Sequence, residues 1–230
     1  MRRALRDESG MTLIELMIGT MIGLIVIGAA YTILVAATPL SARTQDRVDA
    51  YQRGRLAMDV MASELRSQVC LPNTSGNIIP PIIPTSSTAN EVWFYSNTGN
   101  INALAQKRRI YLSGNALKED VWQGTGTLAS PTFALNPTST RTLISPVGLV
   151  SGVPLFSYYG FDSNLPASVN QLLNAPVSAA DSQKVVQVDI SFIARPSNAT
   201  AASPRDTTFQ ESVFFRTADP TDPAKGPKCD

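Results

Sequence analysis

Residues 6–37 read RDESGMTLIELMIGTMIGLIVIGAAYTILVAA. From Met11 to Ala37 there are 27 residues, and Glu15 is the only ionisable carboxylate or amine among them. As a helix this run would be about 40 Å long, and about 20 apolar residues suffice to cross a bilayer. It therefore reads as a membrane span. A carboxylate in hydrocarbon is costly, so Glu15 marks a function and not a filler position.

What flanks the run sets its orientation. Arg2, Arg3 and Arg6 precede it, with Asp7 and Glu8 after them. By the positive-inside rule this short basic leader stays in the cytoplasm and the bulk of the chain faces outward. A secretory signal peptide would have a shorter apolar region and a small-residue cleavage site, and Glu15 disrupts the start of such a region. A plain signal anchor explains the span but not the glutamate. Gly19 and Gly23 are four apart, with Gly28 beyond them, a spacing that lets membrane helices approach closely. Glycine also weakens a helix locally.

The whole chain has 230 residues, a net charge of +1, 16 prolines and 14 glycines. Most prolines follow Ile79, which suggests a strand- and loop-rich second part. There is no histidine, which removes the commonest general base and the commonest metal ligand. The two cysteines, Cys70 and Cys229, form no CxxC. No catalytic constellation stands out, and no cofactor or metal is expected. The carboxylates Asp162, Asp189, Glu211, Asp219 and Asp222 are scattered. FDSNLP and TADPTDPAKG lack a full calcium-ligand spacing. Lys107, Arg108 and Arg109 in QKRRIY form a small basic cluster, read as a charged edge before a nucleic-acid contact.

The string SG-MTLIEL, with its charged leader and long apolar run, resembles the cleavage and methylation motif of type IV prepilins and type II secretion pseudopilins. The resemblance implies that a prepilin peptidase cuts between Gly10 and Met11 and that Met11 is N-methylated. It implies that Glu15 serves subunit assembly, its carboxylate meeting the new α-amine of a neighbouring subunit. Opposite charges in low dielectric attract strongly and relieve each other's desolvation. Snorkelling of Glu15 to the headgroups is the alternative. The family most often has phenylalanine where Met11 stands. In that family the part of the helix holding Gly19, Gly23 and Gly28 can unwind during assembly. Pro39, after the run, can kink the helix or mark a boundary.

SARTQDRVDAYQRGRLAMDVMASELRSQVC (41–70) reads as a second, amphipathic helical stretch. Val48, Tyr51, Met58, Met61, Ala62, Leu65 and Val69 fall on one side at a 3.6-residue period. Leu56 and Val60 lie on the far flank, and Gly54 reads as a mild flaw. RLAMDVMASELRSQ, with Glu64-Leu65-Arg66, is similar to the helix of J-type minor pseudopilins and W-type minor pilins.

After an irregular loop at 72–90, short apolar-aromatic runs alternate with turns: EVWFYS, RRIYLSGNALKEDVW, RTLISPVGLVSGVPLFSYYGF, KVVQVDISFIA and TTFQESVFFRT. In KVVQVDISFIA, Val186, Val188, Ile190 and Phe192 face one way and Gln187, Asp189 and Ser191 the other. Gly114-Asn115 between apolar flanks signals a hairpin. The expectation is an α+β, pilin-like fold: a long N-terminal helix, transmembrane in its first half and amphipathic in its second, packed on an antiparallel sheet. Its parts are a leader (1–10), a membrane half-helix (11–38), an amphipathic half-helix (39–71) and a β-rich extracytoplasmic head (72–230).

The resemblance implies a minor pilin or pseudopilin precursor in the bacterial inner membrane. It is a structural subunit, not an enzyme, that primes or tips a filament. Its implied partners are prepilin peptidase, other minor and major pilins or pseudopilins, and the inner-membrane assembly platform. A nucleic-acid partner enters only for a DNA-uptake pilus. Cys70 and Cys229 would both lie outside the cytoplasm, where disulfides persist, and are expected to pair. The alternatives are a DNA- or surface-binding tip subunit and a signal-anchored domain of another function.

Overall fold

The computed structural model describes residues 11–72, 78–97, 103–161, 169–198 and 206–216. One helix, α1 (Leu13–Arg66), opens the chain. Its apolar stretch is long and hydrophobic enough to cross a membrane. The helix continues through position 39, so Pro39 does not end it. A proline removes one backbone hydrogen bond, and the strong helix formers on both sides carry the helix past it. The helix ends at Arg66, four residues before Cys70.

Residues up to Gln45 form one compact unit and residues from Asp46 onward another. In the second unit the chain runs through β1 (Leu71–Pro72), β2 (Ile78–Ile79), β3 (Glu91–Ser96), β4 (Gln106–Ser113), β5 (Ala116–Thr127), β6 (Ser130–Phe133) and β7 (Ser139–Ile144). It continues through β8 (Val147–Gly148), β9 (Phe156–Phe161), β10 (Val169–Leu173), the short α2 (Ala179–Ser182), β11 (Gln187–Ala194) and β12 (Thr207–Phe214). The fold is α+β and its sheets are antiparallel.

The expected single sheet is two five-stranded sheets and a small β1–β2 pair. One runs β3-β4-β5-β6 with β7 also on β5, the other β10-β9-β11-β12 with β8 on β11. Within the first sheet the long β5 serves two strands on one edge, its first half pairing with β7 and its last residues with β6. The β4–β5 hairpin turns at Gly114-Asn115, as expected, with Gly114 at φ +61°. That left-handed conformation suits a glycine. In β11 and just before it, Val186, Val188, Ile190 and Phe192 are all buried, in the expected alternation. Ser191, expected on the polar side, is buried too.

From Asp46 onward α1 buries Ala50, Gly54, Ala57, Met58, Met61, Ala62 and Leu65. Val48 and Tyr51, expected inside, are each 48% exposed. The inward stripe starts with small residues because the helix backbone runs close to the sheet there. A Cβ on Gly54 would overlap the Phe209 ring of β12 and the Ala194 side chain of β11. Gly54 is thus a packing residue and not a flaw. Further along, Met58, Met61 and Leu65 share one core with Phe94, Ile110, Leu117, Phe156, Tyr158, Ile190 and Phe192 from both sheets. The helix therefore closes the seam between two sheets.

Candidate assembly site

The described chain begins at Met11, so Gly10 and the leader lie outside it. Thr12 stands directly before α1 and acts as its N-cap. The Glu15 backbone N–H donates to Thr12 Oγ1 (3.4 Å), and the Thr12 backbone N–H donates to Glu15 Oε2 (3.0 Å). The Thr12 hydroxyl also donates to Oε2 (2.9 Å). This is the reciprocal capping box of a Thr-x-x-Glu string, which satisfies two otherwise orphaned helix N–H groups. Its signal in the sequence is the Thr-x-x-Glu spacing of TLIE at 12–15. Glu15 has a local task besides any intermolecular one. Its other oxygen, Oε1, makes no hydrogen bond among the described residues. A cation can meet that oxygen without dismantling the cap.

Gly19, Gly23 and Gly28 follow on the same helix, and a Cβ on any of them would meet nothing within 4 Å. Their lack of a side chain is not required by packing within this chain. The apolar side chains around them, from Leu13 to Val35, are exposed.

In the head, charge ties the second half of α1 to both sheets. Glu64 pairs with Arg108 of β4 (2.8 Å) and Arg141 of β7 (3.4 Å). Both arginines also pair with Glu119 of β5. The four side chains close an alternating ring of zero net charge. Glu119 is fully buried and Arg108 nearly so. Burial pushes the Glu64 carboxyl above the usual range; Arg108 and Arg141 act against it, and Glu119 adds to it. Arg66 pairs with Glu211 of β12 (2.9 Å). One turn pair earlier, Arg53 is held by Asp49 and donates to the Ser145 and Arg195 carbonyls, each at 2.7 Å. That arginine holds the Asp49 carboxyl below its ordinary range.

The basic cluster is not a free patch. Arg108 faces the core ring, and Arg109 pairs with Glu91 (2.6 Å) and Asp120 (3.8 Å). Alternation in β4 puts Lys107 and Arg109 on the opposite face from Arg108. The acidic strings at 161–166 and 217–226 fall, all but Phe161, outside the described residues. Cys70, just past α1, is disulfide-bonded. Cys229 also lies outside the described residues.

Residues 5–31 match the family model of the prokaryotic N-terminal methylation motif. This chain carries that motif. The matched stretch contains Gly10, Met11, Glu15, Gly19, Gly23 and Gly28, and it ends before Pro39 and Cys70. No curated protein matches the chain. Among solved structures, a chain from the crystal structure of the GspK-GspI-GspJ complex of the enterotoxigenic Escherichia coli type 2 secretion system is similar. The similarity covers 74% of this chain and 99% of that one, at 10% identity and a TM-score of 0.42. The methylation motif thus heads an α+β chain with, among the described residues, one membrane-length apolar helix.

Proposed function

We propose that the chain is the precursor of a minor pilin or minor pseudopilin. Prepilin peptidase cuts between Gly10 and Met11, and Met11 is then N-methylated. The apolar half of α1 anchors the subunit in the inner membrane, N-terminus inside and head outside. Assembly moves that half into the centre of a type IV pilus or a type II secretion pseudopilus, where the subunit primes or tips the filament. Its partners are other pilins or pseudopilins and the membrane assembly platform; its role is structural and not enzymatic.

The observation that carries this reading is the coincidence of the methylation motif with the start of α1. Glu15 stands one turn into that helix with one carboxylate oxygen already in the cap. The reading assigns the other oxygen to the α-amine of a neighbouring subunit, released at Met11. Pairing supplies register more than net stability, because both charges are desolvated to make it. A Cys70–Cys229 bridge belongs to the same reading, since it needs an oxidising compartment.

The decisive experiment is Gly10→Ala in cells with an active prepilin peptidase. The expected outcome is a protein that keeps residues 1–10 and an unmethylated Met11 by intact mass and N-terminal sequencing. Normal shortening of the variant would remove the reading.

A further inference from the structure

The outward face of the β3-β4-β5-β6 sheet holds a cation of a different kind from its neighbours. Lys107 Nζ sits 4.5 Å from the Trp122 ring centroid, 5.6 Å from Trp93 and 5.7 Å from Phe133. Trp93 stacks on Trp122 at 5.1 Å, and Tyr95 on Phe133 at 5.6 Å. Arg109, next along the same face, also stacks on aromatic rings, but two carboxylates neutralise it. Lys107 has no carboxylate partner among the described residues. Burial accordingly pulls its ammonium below the ordinary lysine range. Beside it, the Trp93 indole N–H is buried without an acceptor among the described residues.

We propose that this aromatic-framed lysine is the anchor of a docking face for a partner protein that presents an aspartate or glutamate side chain between apolar residues. Ring faces stabilise the ammonium but leave its N–H donors unused, and a carboxylate is the acceptor that matches both charge and donors. The stem is already packed, so little side-chain freedom is lost on pairing. The rim is apolar: Trp122 Nε1–H donates to the Leu135 carbonyl (3.4 Å), which holds that loop against the cage, and the Leu135 side chain is 94% exposed. Tryptophan and tyrosine, which frame this lysine, are among the residues enriched in interface hot spots. A single cation is too small a footprint for a nucleic acid. The inference does not depend on the pilin reading.

The test uses the full chain in detergent micelles. Its only two tryptophans, Trp93 and Trp122, both flank Lys107, so their emission reports the site. The probe is the capped peptide acetyl-Leu-Glu-Leu-amide, with the glutamine peptide as its neutral twin. The expected result is a saturable emission change with the glutamate peptide and roughly tenfold weaker binding of the glutamine peptide. That preference should vanish in Lys107→Met and persist in Lys107→Arg. Equal binding of the two peptides, no saturable response, or an unchanged preference in Lys107→Met would each overturn the proposal. The peptide pair on the unmodified chain decides the question even if the Met variant does not fold.

Discussion

Glu64 of the helix and Arg108 of β4 meet at 2.8 Å, and Glu119 and Arg141 complete the ring around them. The ring fastens the helix to three strands of one sheet, β4, β5 and β7. Burying charges such as Glu119 and Arg108 gains little net stability when they are paired, but breaking one pairing leaves a charge stranded. Arg108→Met strands Glu119, which is fully buried, with Arg141 alone. We expect a loss of about 3–5 kcal/mol, read from urea unfolding of the full chain in micelles.

The same ring gives a pH signature. The Glu64 carboxyl is raised above its ordinary value of 4.5, so the folded state holds that proton more tightly than the unfolded chain does. Stability therefore falls as pH rises through the interval just above 4.5. Glu64→Gln lacks this titration. The difference in stability between the native chain and Glu64→Gln should shift against the native chain as pH rises through that interval. A flat difference between the two proteins would contradict the burial argument.

Gly54 offers a test of helix-to-sheet distance. At an exposed helix site, glycine to alanine is worth about 1 kcal/mol of stabilisation. Here the new Cβ would meet the Phe209 ring and Ala194. Overpacking costs about 1–3 kcal/mol, so Gly54→Ala should lower stability and Gly54→Leu should lower it further. Thermal unfolding of both variants reads the sign directly.

Thr12 and Glu15 can be separated genetically. Thr12→Val removes the hydroxyl side of the capping box and leaves the carboxylate; losing an N-cap costs about 1 kcal/mol. Glu15→Ala removes the carboxylate side of the box and the proposed amine partner, while the residue-15 backbone N–H keeps its bond to Thr12 Oγ1. Both variants should insert and be cleaved. Glu15→Ala should be missing from the sheared filament fraction, whereas Thr12→Val should be reduced but present. Normal incorporation of Glu15→Ala would end the amine-pairing idea.

Cys70 and Cys229 are expected to form one bridge. Closing so long a loop is worth about 5 kcal/mol in the chain-entropy model. Alkylation of the unreduced full-length chain should find no free thiol. Cys70→Ser and Cys229→Ser should lower the melting temperature equally, and the double variant no further. Unequal or additive losses would argue against a shared bond.

Much of this molecule was legible without coordinates because its signals are local. The apolar run, the lone Glu15, the glycine before Met11, the Gly114-Asn115 turn and the alternation of Val186 to Phe192 each depend on neighbours within a few residues. The capping box at 12–15 is equally local, but the same glutamate is also the lone charge of the apolar run, and that stronger signal masks its place at a helix terminus.

What the sequence by itself determined is therefore the order of the parts: an N-terminal methylation motif, a long helix that is apolar in its first half, and a β-rich head. What only the tertiary structure decided are the contacts between residues distant in the chain. That β5 serves two partner strands, that Gly54 is where the helix touches Phe209, and that Arg108 turns inward to Glu64 while Lys107 turns outward into an aromatic cage all depend on such contacts. Period and propensity report which face a residue takes. Close packing and charge pairing across the fold decide what waits on that face.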